Sequence, residues 1–305
     1  MITIIEYMDA IIKIPVLSDG YIYHYTSVQA LQGILDNEQF WATKSNFLND
    51  KTEFNYAYKL FEEHILNNIK NTIFRSKLIA AFRSAIDKSS LRLSSLSEVL
   101  NGYYVVSFST NPDNLLLWSE FSNLMGYNLA FRLTDFLGSF QKHSMWHGKV
   151  LYDRDAQLHC LQETLGNALT WRPDCYDAKS INDFDEHTSD AAIDYLSLDM
   201  YAFCTVYSMF FKQAAFAQEE EYRFVFSAFH EENDRIRQAT KMCFRVKEDT
   251  LIPYIKIPCK LLDALQSITI GPKNNIDIAL SGIACYCREK RIEVPILKST
   301  IPLRY

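Results

Sequence analysis

Apolar and polar positions along the chain alternate as short strands separated by amphipathic helices. Tyr21–Thr26 (YIYHYT) reads as a strand. Ser27 then stands as the N-cap of a helix to about Asp36, in which Val28, Leu31, Ile34 and Leu35 keep helical spacing. Phe40–Thr43 reads as extended, Thr52 to about Lys70 as an amphipathic helix, and 72–88 as another. Tyr103–Ser109 predicts a strand, and Asn111-Pro112-Asp113 a turn in which Asp113 caps a helix reaching about Met125. Further strands are expected at 127–133, 146–152, 222–229, 242–246, 252–257, 267–270 and near 293–298, with helices over roughly 188–213 and 276–289. Residues 171–186 form the best linker candidate. Strands, a helical middle and strands again predict one α+β domain over 1–305. Its sheet is mixed and largely antiparallel, with helical segments at about 52–100 and 154–213 inserted between strands.

Composition narrows the choice. The 305 residues are 48% apolar and 22% charged, which fits a globular chain with a substantial core. Only 9 glycines are present, and no glycine-rich phosphate loop or dinucleotide fingerprint occurs. A net charge of −6 argues against a protein that coats nucleic acid, although a local basic groove is compatible with it. Seven cysteines, an odd number with no CxxC pair, read as reduced thiols and point to a cytoplasmic protein. No apolar run approaches the length of a membrane helix, so no membrane partner is expected.

Residues two apart on a strand share a face, and three strands thereby gain a polar side. Ile22, His24 and Thr26 share one face of the first strand, with Tyr21, Tyr23 and Tyr25 opposite. Ser107 and Ser109 lie opposite Tyr104, Val106 and Phe108. Glu219, Glu221, Arg223 and Val225 lie opposite Tyr222, Phe224 and Phe226. Taken singly, each has a plain structural reading: a hydrogen-bonded strand histidine, edge serines, a solvated acidic run. His143 and His147 have the spacing of a helical metal pair but lack a third ligand, so no metal is expected.

The order of motifs is similar to that of a widespread bacterial family of unknown function. The series comprises His24-Tyr25-Thr26-Ser27, Leu48-Asn49-Asp50 with Glu53, Ser107-Phe108-Ser109, and Trp118. Phe216 with Glu219, Glu221, Tyr222 and Arg223 follows, then Gly271-Pro272, and Ser299, Ile301, Pro302 and Arg304. Tyr222 stands where that family usually has Trp, and Phe121 where Tyr is common. The layout in turn resembles the ADP-ribosyltransferase superfamily, in which a first-strand His or Arg, a second-strand Ser or Tyr and a late-strand Glu converge on NAD. That resemblance implies the superfamily fold, NAD as substrate, and Glu221 as the carboxylate facing the oxocarbenium-like ribose. Glu219 would orient the acceptor or serve as its base. His24 would hold the adenosine-side ribose, and Ser107 and Ser109 would brace the pocket. Trp118 is favoured over Tyr25 or Tyr222 for stacking on the nicotinamide, since alternation turns both tyrosines from the polar face. Thr26 belongs to the same first-strand motif. Arg223 has two available partners, a ligand phosphate or Glu221. Asn49 and Asp50 would line the pocket if their loop faces it; otherwise Asp50 caps the helix beginning near Thr52.

The implied reaction moves ADP-ribose to a macromolecular acceptor, protein or nucleic acid (RNA or DNA), in a bacterial toxin or phage-defence effector that an antitoxin or regulatory protein would restrain. Two other classes are carried with it. One is a metal-dependent nuclease using Asp50, Glu53, Glu219 and Glu221; the other is a module that binds a nucleotide or partner without turnover.

Overall fold

A computed structural model describes residues 4–48, 53–90, 102–140, 144–171, 178–227, 241–247, 249–274 and 276–303. In chain order the helices are α1 (Ile4–Ile11), α2 (Val28–Asn37), α3 (Glu53–His64), α4 (Thr72–Ser90), α5 (Leu115–Ser122), α6 (Leu133–Phe140), α7 (Arg154–Trp171), α8 (Asp190–Tyr207), α9 (Leu261–Ala264) and α10 (Ile276–Lys290). The strands are β1 (Tyr21–Thr26), β2 (Gln39–Lys44), β3 (Tyr103–Ser109), β4 (Tyr127–Arg132), β5 (Ser144–Lys149), β6 (Glu221–Ser227), β7 (Cys243–Lys247), β8 (Thr250–Pro258), β9 (Leu265–Ile270) and β10 (Ile296–Lys298).

The chain divides into two compact units. One comprises Met1–Pro15, Ser45–Tyr103 and Val150–Phe216, so it takes in both stretches expected as helical insertions. Its core is aromatic. Phe61 packs on Phe82 of α4 and on Phe203 of α8, and Tyr58 stacks on Tyr201. Several polar groups drawn into this core are paired, as burial favours. Tyr58 and Thr205 hydroxyls meet at 2.5 Å, Thr164 and Tyr207 at 2.7 Å, and Tyr7 donates to Asp199 at 2.8 Å. Buried Gln157 donates through Nε2 to the carbonyls of Leu151 and Lys212. The helix expected over 188–213 stops at Tyr207. Beyond it the backbone bonds to Leu151 instead, through Leu151 N to Phe210 O and Lys212 N to Leu151 O.

The second unit comprises Val16–Lys44, Tyr104–Lys149 and Ala217–Tyr305. It is organised by an open, mixed sheet of order β10-β9-β4-β1-β3-β2-β8-β7, with β6 beside β3 and β5 beside β6. The β10–β9 pair is parallel and the other registered pairs are antiparallel. Ile22, Phe40, Phe108, Phe131, Phe224 and Ile268 lie in one core cluster on a single face of the sheet, with Leu31, Ile34 and Leu35 of α2 against it. Ser27 caps α2 as expected, accepting from Ala30 N.

Among the described residues no helix is long and apolar enough to cross a membrane.

Two glycines near the β1–β4 corner are fixed by close backbone approach. A Cβ at Gly126 would sit 2.1 Å from the Thr26 carbonyl oxygen and 2.4 Å from Ser122 Cβ. One at Gly271 would sit 3.0 Å from the carbonyl oxygens of Gly126 and Leu124. Gly126→Ala is therefore expected to lower the unfolding free energy by about 2 kcal/mol or more, the scale of overpacking that only backbone movement can relieve. Urea denaturation against Gly138→Ala, a site with open space around its Cβ, checks this.

Candidate active site

The site is built around β3, which has three neighbours. On one side lies β6. On the other, Ser109 pairs with Tyr23 of β1, while Val105 and Tyr104 pair with Thr43 and Lys44 of β2. Neither β1 nor β2 pairs with residues 106–108, so the two strands part there. The side chain of His24 reaches that parting, where its Nδ1 lies 3.1 Å from the Ser107 carbonyl oxygen. A carbonyl only accepts, so Nδ1 carries the proton and Nε2 is left as an acceptor. Phe40 and Phe108 flank the ring, with centroids at 5.1 and 5.3 Å. Burial lowers the His24 pKa to about 4; the bond to Ser107 opposes this shift and Arg245 adds to it. The imidazole is therefore neutral at physiological pH.

Register settles which side chains share a face. Tyr23 opposite Ser109 puts Tyr23 and Tyr25 with Ser107 and Ser109, and Tyr222, Phe224 and Phe226 in the core put Glu221 and Arg223 on that same side. Sequence alternation set His24 among the polar group and turned Tyr25 away from it. Across the assembled sheet the reverse holds: His24 follows Ile22 toward the aromatic core, and Tyr25 is on the side of the serines. Alternation within one strand cannot tell which faces of different strands coincide.

Glu219 also departs from expectation. It ends a short 3-10 helix, Ala214–Glu219, and β6 begins at Glu221. Between them Glu220 takes a left-handed conformation, φ 47°. Glu219 and Glu221 are both buried and Glu220 is exposed, so the acidic run is no solvated cluster. Glu221 is 9% exposed and Arg223 1%, and Arg223 Nη2 donates to Glu221 Oε2 at 2.7 Å. Of the two partners open to Arg223, the structure supplies Glu221.

The end of β3 is stitched to this turn. Ser109 Oγ donates to the Glu219 carbonyl at 2.8 Å, Thr110 N to the Glu220 carbonyl at 2.9 Å, and Asn111 Nδ2 to Glu220 Oε1 at 2.8 Å. Asn114 Nδ2 reaches the Gln218 carbonyl. Tyr25 OH donates to Asn111 O and accepts from Asn114 N, and its ring meets the fully buried Trp118 edge-on at 4.8 Å. Trp118 is thus enclosed by protein and braces the turn. Thr26 is buried against the Gly126 corner. Asn49, Asp50 and Arg304 lie outside the described residues, as does the Glu53 side chain.

Asp113 takes a role the sequence did not reveal. The cap of α5 is Asn114, whose side chain accepts from Leu116 N and Leu117 N. Asp113 instead collects four donors: Trp118 Nε1 and Ser299 Oγ on Oδ1, and Thr300 N and Oγ1 on Oδ2, all at 2.7–2.8 Å. It fastens the C-terminal Ser299-Thr300 segment to the site. The turn at Asp113 and the Ser299 motif were each visible in the sequence; their contact across 186 positions was not. Arg245 was also missed, although it falls in a predicted strand. Its guanidinium donates to Thr43 Oγ1 at 2.9 Å.

His147 of β5 lies on the core side, its Nδ1 2.6 Å from Tyr222 OH, and His143 is outside the described residues. Among the described residues no group of three or more His, Cys, Asp or Glu is placed to hold a metal.

Comparison with known proteins places one stretch. Residues 117–224 match a protein family of unknown function, DUF2971. The matched stretch runs from α5 into β6 and includes Trp118, Glu219, Glu221 and Arg223; the first-strand and C-terminal motifs lie outside it. No curated protein and no solved structure matches the chain significantly.

Two outcomes follow. Burial raises the Asp113 carboxyl pKa, but bonds from Ser299, Trp118 and Thr300 outweigh this and hold it below its ordinary value of 3.8. Its contribution to stability is present above that ordinary value and is lost as pH falls through the lowered one. Asp113→Ala should cost on the order of 2 kcal/mol at pH 7, and the gap to wild type should narrow in urea melts below pH 4. For His24 the folded pKa is depressed below 6.5, so the unfolded chain binds the proton more readily and stability falls as pH drops from 6.5 toward about 4. His24→Asn retains a donor for Ser107 and should flatten that part of the pH profile. An unchanged slope would refute the assignment.

Proposed function

We propose that the protein is an NAD-dependent ADP-ribosyltransferase acting on a macromolecular acceptor. The observation that carries this reading is that the three strands bearing the His, Ser and Glu motifs, far apart in sequence, are consecutive in the sheet as β1, β3 and β6. That order sets the Ser and Glu motifs on one face of neighbouring strands, while His24 comes to the Ser107 carbonyl from the core side.

In this reading the carboxylate of Glu221 faces the ribose as positive charge develops on it, in a site where low exposure strengthens the interaction. Arg223 orients that carboxylate by donating to its Oε2 at 2.7 Å. Ser107 and His24 lie at the parting of the sheet, where neutral His24 can offer Nε2 as acceptor to a ribose hydroxyl. Glu219, at the turn before β6, is positioned on the acceptor side. Intracellular toxin or defence activity, with a partner that restrains it, is the context this chemistry suggests.

A second reading is a nucleotide-binding module without turnover. It is favoured by the low exposure of Glu221 and its ion pair with Arg223, which leave that carboxylate little freedom to engage substrate.

The deciding assay is nicotinamide release from NAD by the full chain in the presence of cell lysate. Glu221→Gln is expected to lower release by a factor of about 100 or more, the scale of losing a principal electrostatic stabiliser of the transition state, while circular dichroism stays unchanged. NAD binding with no release from wild type would favour the non-catalytic module. No binding and no release would remove both.

A further inference from the structure

The limb of the sheet formed by β2, β8 and β7 carries polar and aromatic groups that the reading above does not use. Register places Trp41 opposite Lys256, Thr43 opposite Tyr254, and Tyr254 opposite Cys243, two positions from Arg245. These side chains share a face of the sheet, and Thr43 opposite Val105 makes it the face that also carries Ser107. Arg245 is half-buried there. The only hydrogen bond of its guanidinium among the described residues goes to the neutral hydroxyl of Thr43, and no carboxylate among them lies within ion-pair distance. A guanidinium has five donors, and withdrawing its charge from water is unfavourable without an anion. Burial accordingly lowers the Arg245 pKa.

The Thr43–Tyr254 pair links this cation to a preformed aromatic surface. Trp41 stacks on Tyr254 at 4.4 Å between ring centroids and 21° between planes. Tyr254 is buried, whereas Trp41 is 43% exposed. Stacking thus holds the indole in place while leaving part of it open to another planar ring. Lys256, directly across from Trp41, is exposed and adds a second positive charge.

We propose that this face binds a nucleoside phosphate, with Arg245 holding the phosphate and Trp41 stacking on the base. One aromatic platform and one guanidinium, linked through the Thr43–Tyr254 pair, offer one base contact and one phosphate contact, and the net charge of −6 disfavours a polyanion. The site's relation to NAD rests on the transferase reading; the nucleotide site itself does not.

Calorimetric titration of the full chain with ADP, adenosine and inorganic pyrophosphate tests it, with indole fluorescence followed in parallel. ADP should bind and quench fluorescence. Arg245→Met should weaken ADP at least about 10-fold, as expected for losing a charge-assisted contact, and leave adenosine unchanged. Arg245→Lys should recover part of the loss. Trp41→Ala should weaken ADP and adenosine, remove the quench, and spare pyrophosphate. The proposal is overturned if ADP does not bind, if Arg245→Met binds it as wild type does, or if a single-stranded oligonucleotide binds far more tightly than ADP. ADP binding without nicotinamide release would keep this site and remove the transferase. Release and ADP affinity both indifferent to Arg245→Met and Trp41→Ala would do the reverse.

Discussion

The second unit depends on how the edges of β3 are shared. A strand has two edges, and this one serves three neighbours, with β6 along one and β1 and β2 dividing the other. The division leaves residues 106–108 without a partner from β1 or β2, and the Ser107 carbonyl takes His24 Nδ1 instead of a backbone amide. A buried carbonyl needs a donor, and an imidazole supplies one while bringing a second, acceptor nitrogen to the same place. The bond that closes the sheet at its parting thereby also sets the tautomer of His24, with Nε2 left as an acceptor. Burial among Phe40 and Phe108, working against the bond to Ser107, keeps the histidine neutral.

Two charged clusters complete this arrangement by different means. Glu221 and Arg223 are almost wholly removed from water and 2.7 Å apart, a geometry in which losing either partner leaves a buried charge uncompensated. Such a pair fixes orientation more than it adds stability. Asp113 is half-buried and satisfied by four short hydrogen bonds from three residues, two of them at the far end of the chain. It closes the C-terminal segment onto the turn that Tyr25 and Trp118 brace. The turn at 109–114 is therefore tied to β1, to the 218–220 segment and to Ser299-Thr300, and displacement of any one would be felt at Ser109.

Much of the architecture was legible because it follows from local periodicity. Tyr103–Ser109 is an aromatic and β-branched run that alternates with polar positions from Val106 onward, and it forms β3 with the expected bounds. Helix α10 follows its apolar spacing to within a residue or so. Errors arose where a nonlocal bond replaced the local rule. The long helix ends at Tyr207 because Leu151 offers its backbone to Phe210 and Lys212. Asp113 gives up the expected cap because Ser299, Thr300 and Trp118 satisfy it, and Asn114 beside it takes over. Glu219 leaves the strand because Glu220 bends the chain through a left-handed conformation. Arg245 escaped notice because a lone arginine in an alternating strand has an ordinary solvent-facing reading; its significance comes from Thr43, Tyr254 and Trp41 on neighbouring strands.

The sequence by itself determined which residues are apolar together, and hence where strands and helices form, that a sheet and helices would share the chain, and that His, Ser and Glu motifs occur in this order. Period and capping are short-range effects, expressed within a few residues. Tertiary structure alone decided which faces coincide across strands, that His24 lies on the core side while Tyr25 joins the serines, and that Glu221 is paired with Arg223. It also decided that β1, β3 and β6 are neighbours. Those outcomes depend on strand register and on satisfying buried polar groups across more than a hundred positions, as Ser109 and Glu219 show, and neither is encoded in local sequence.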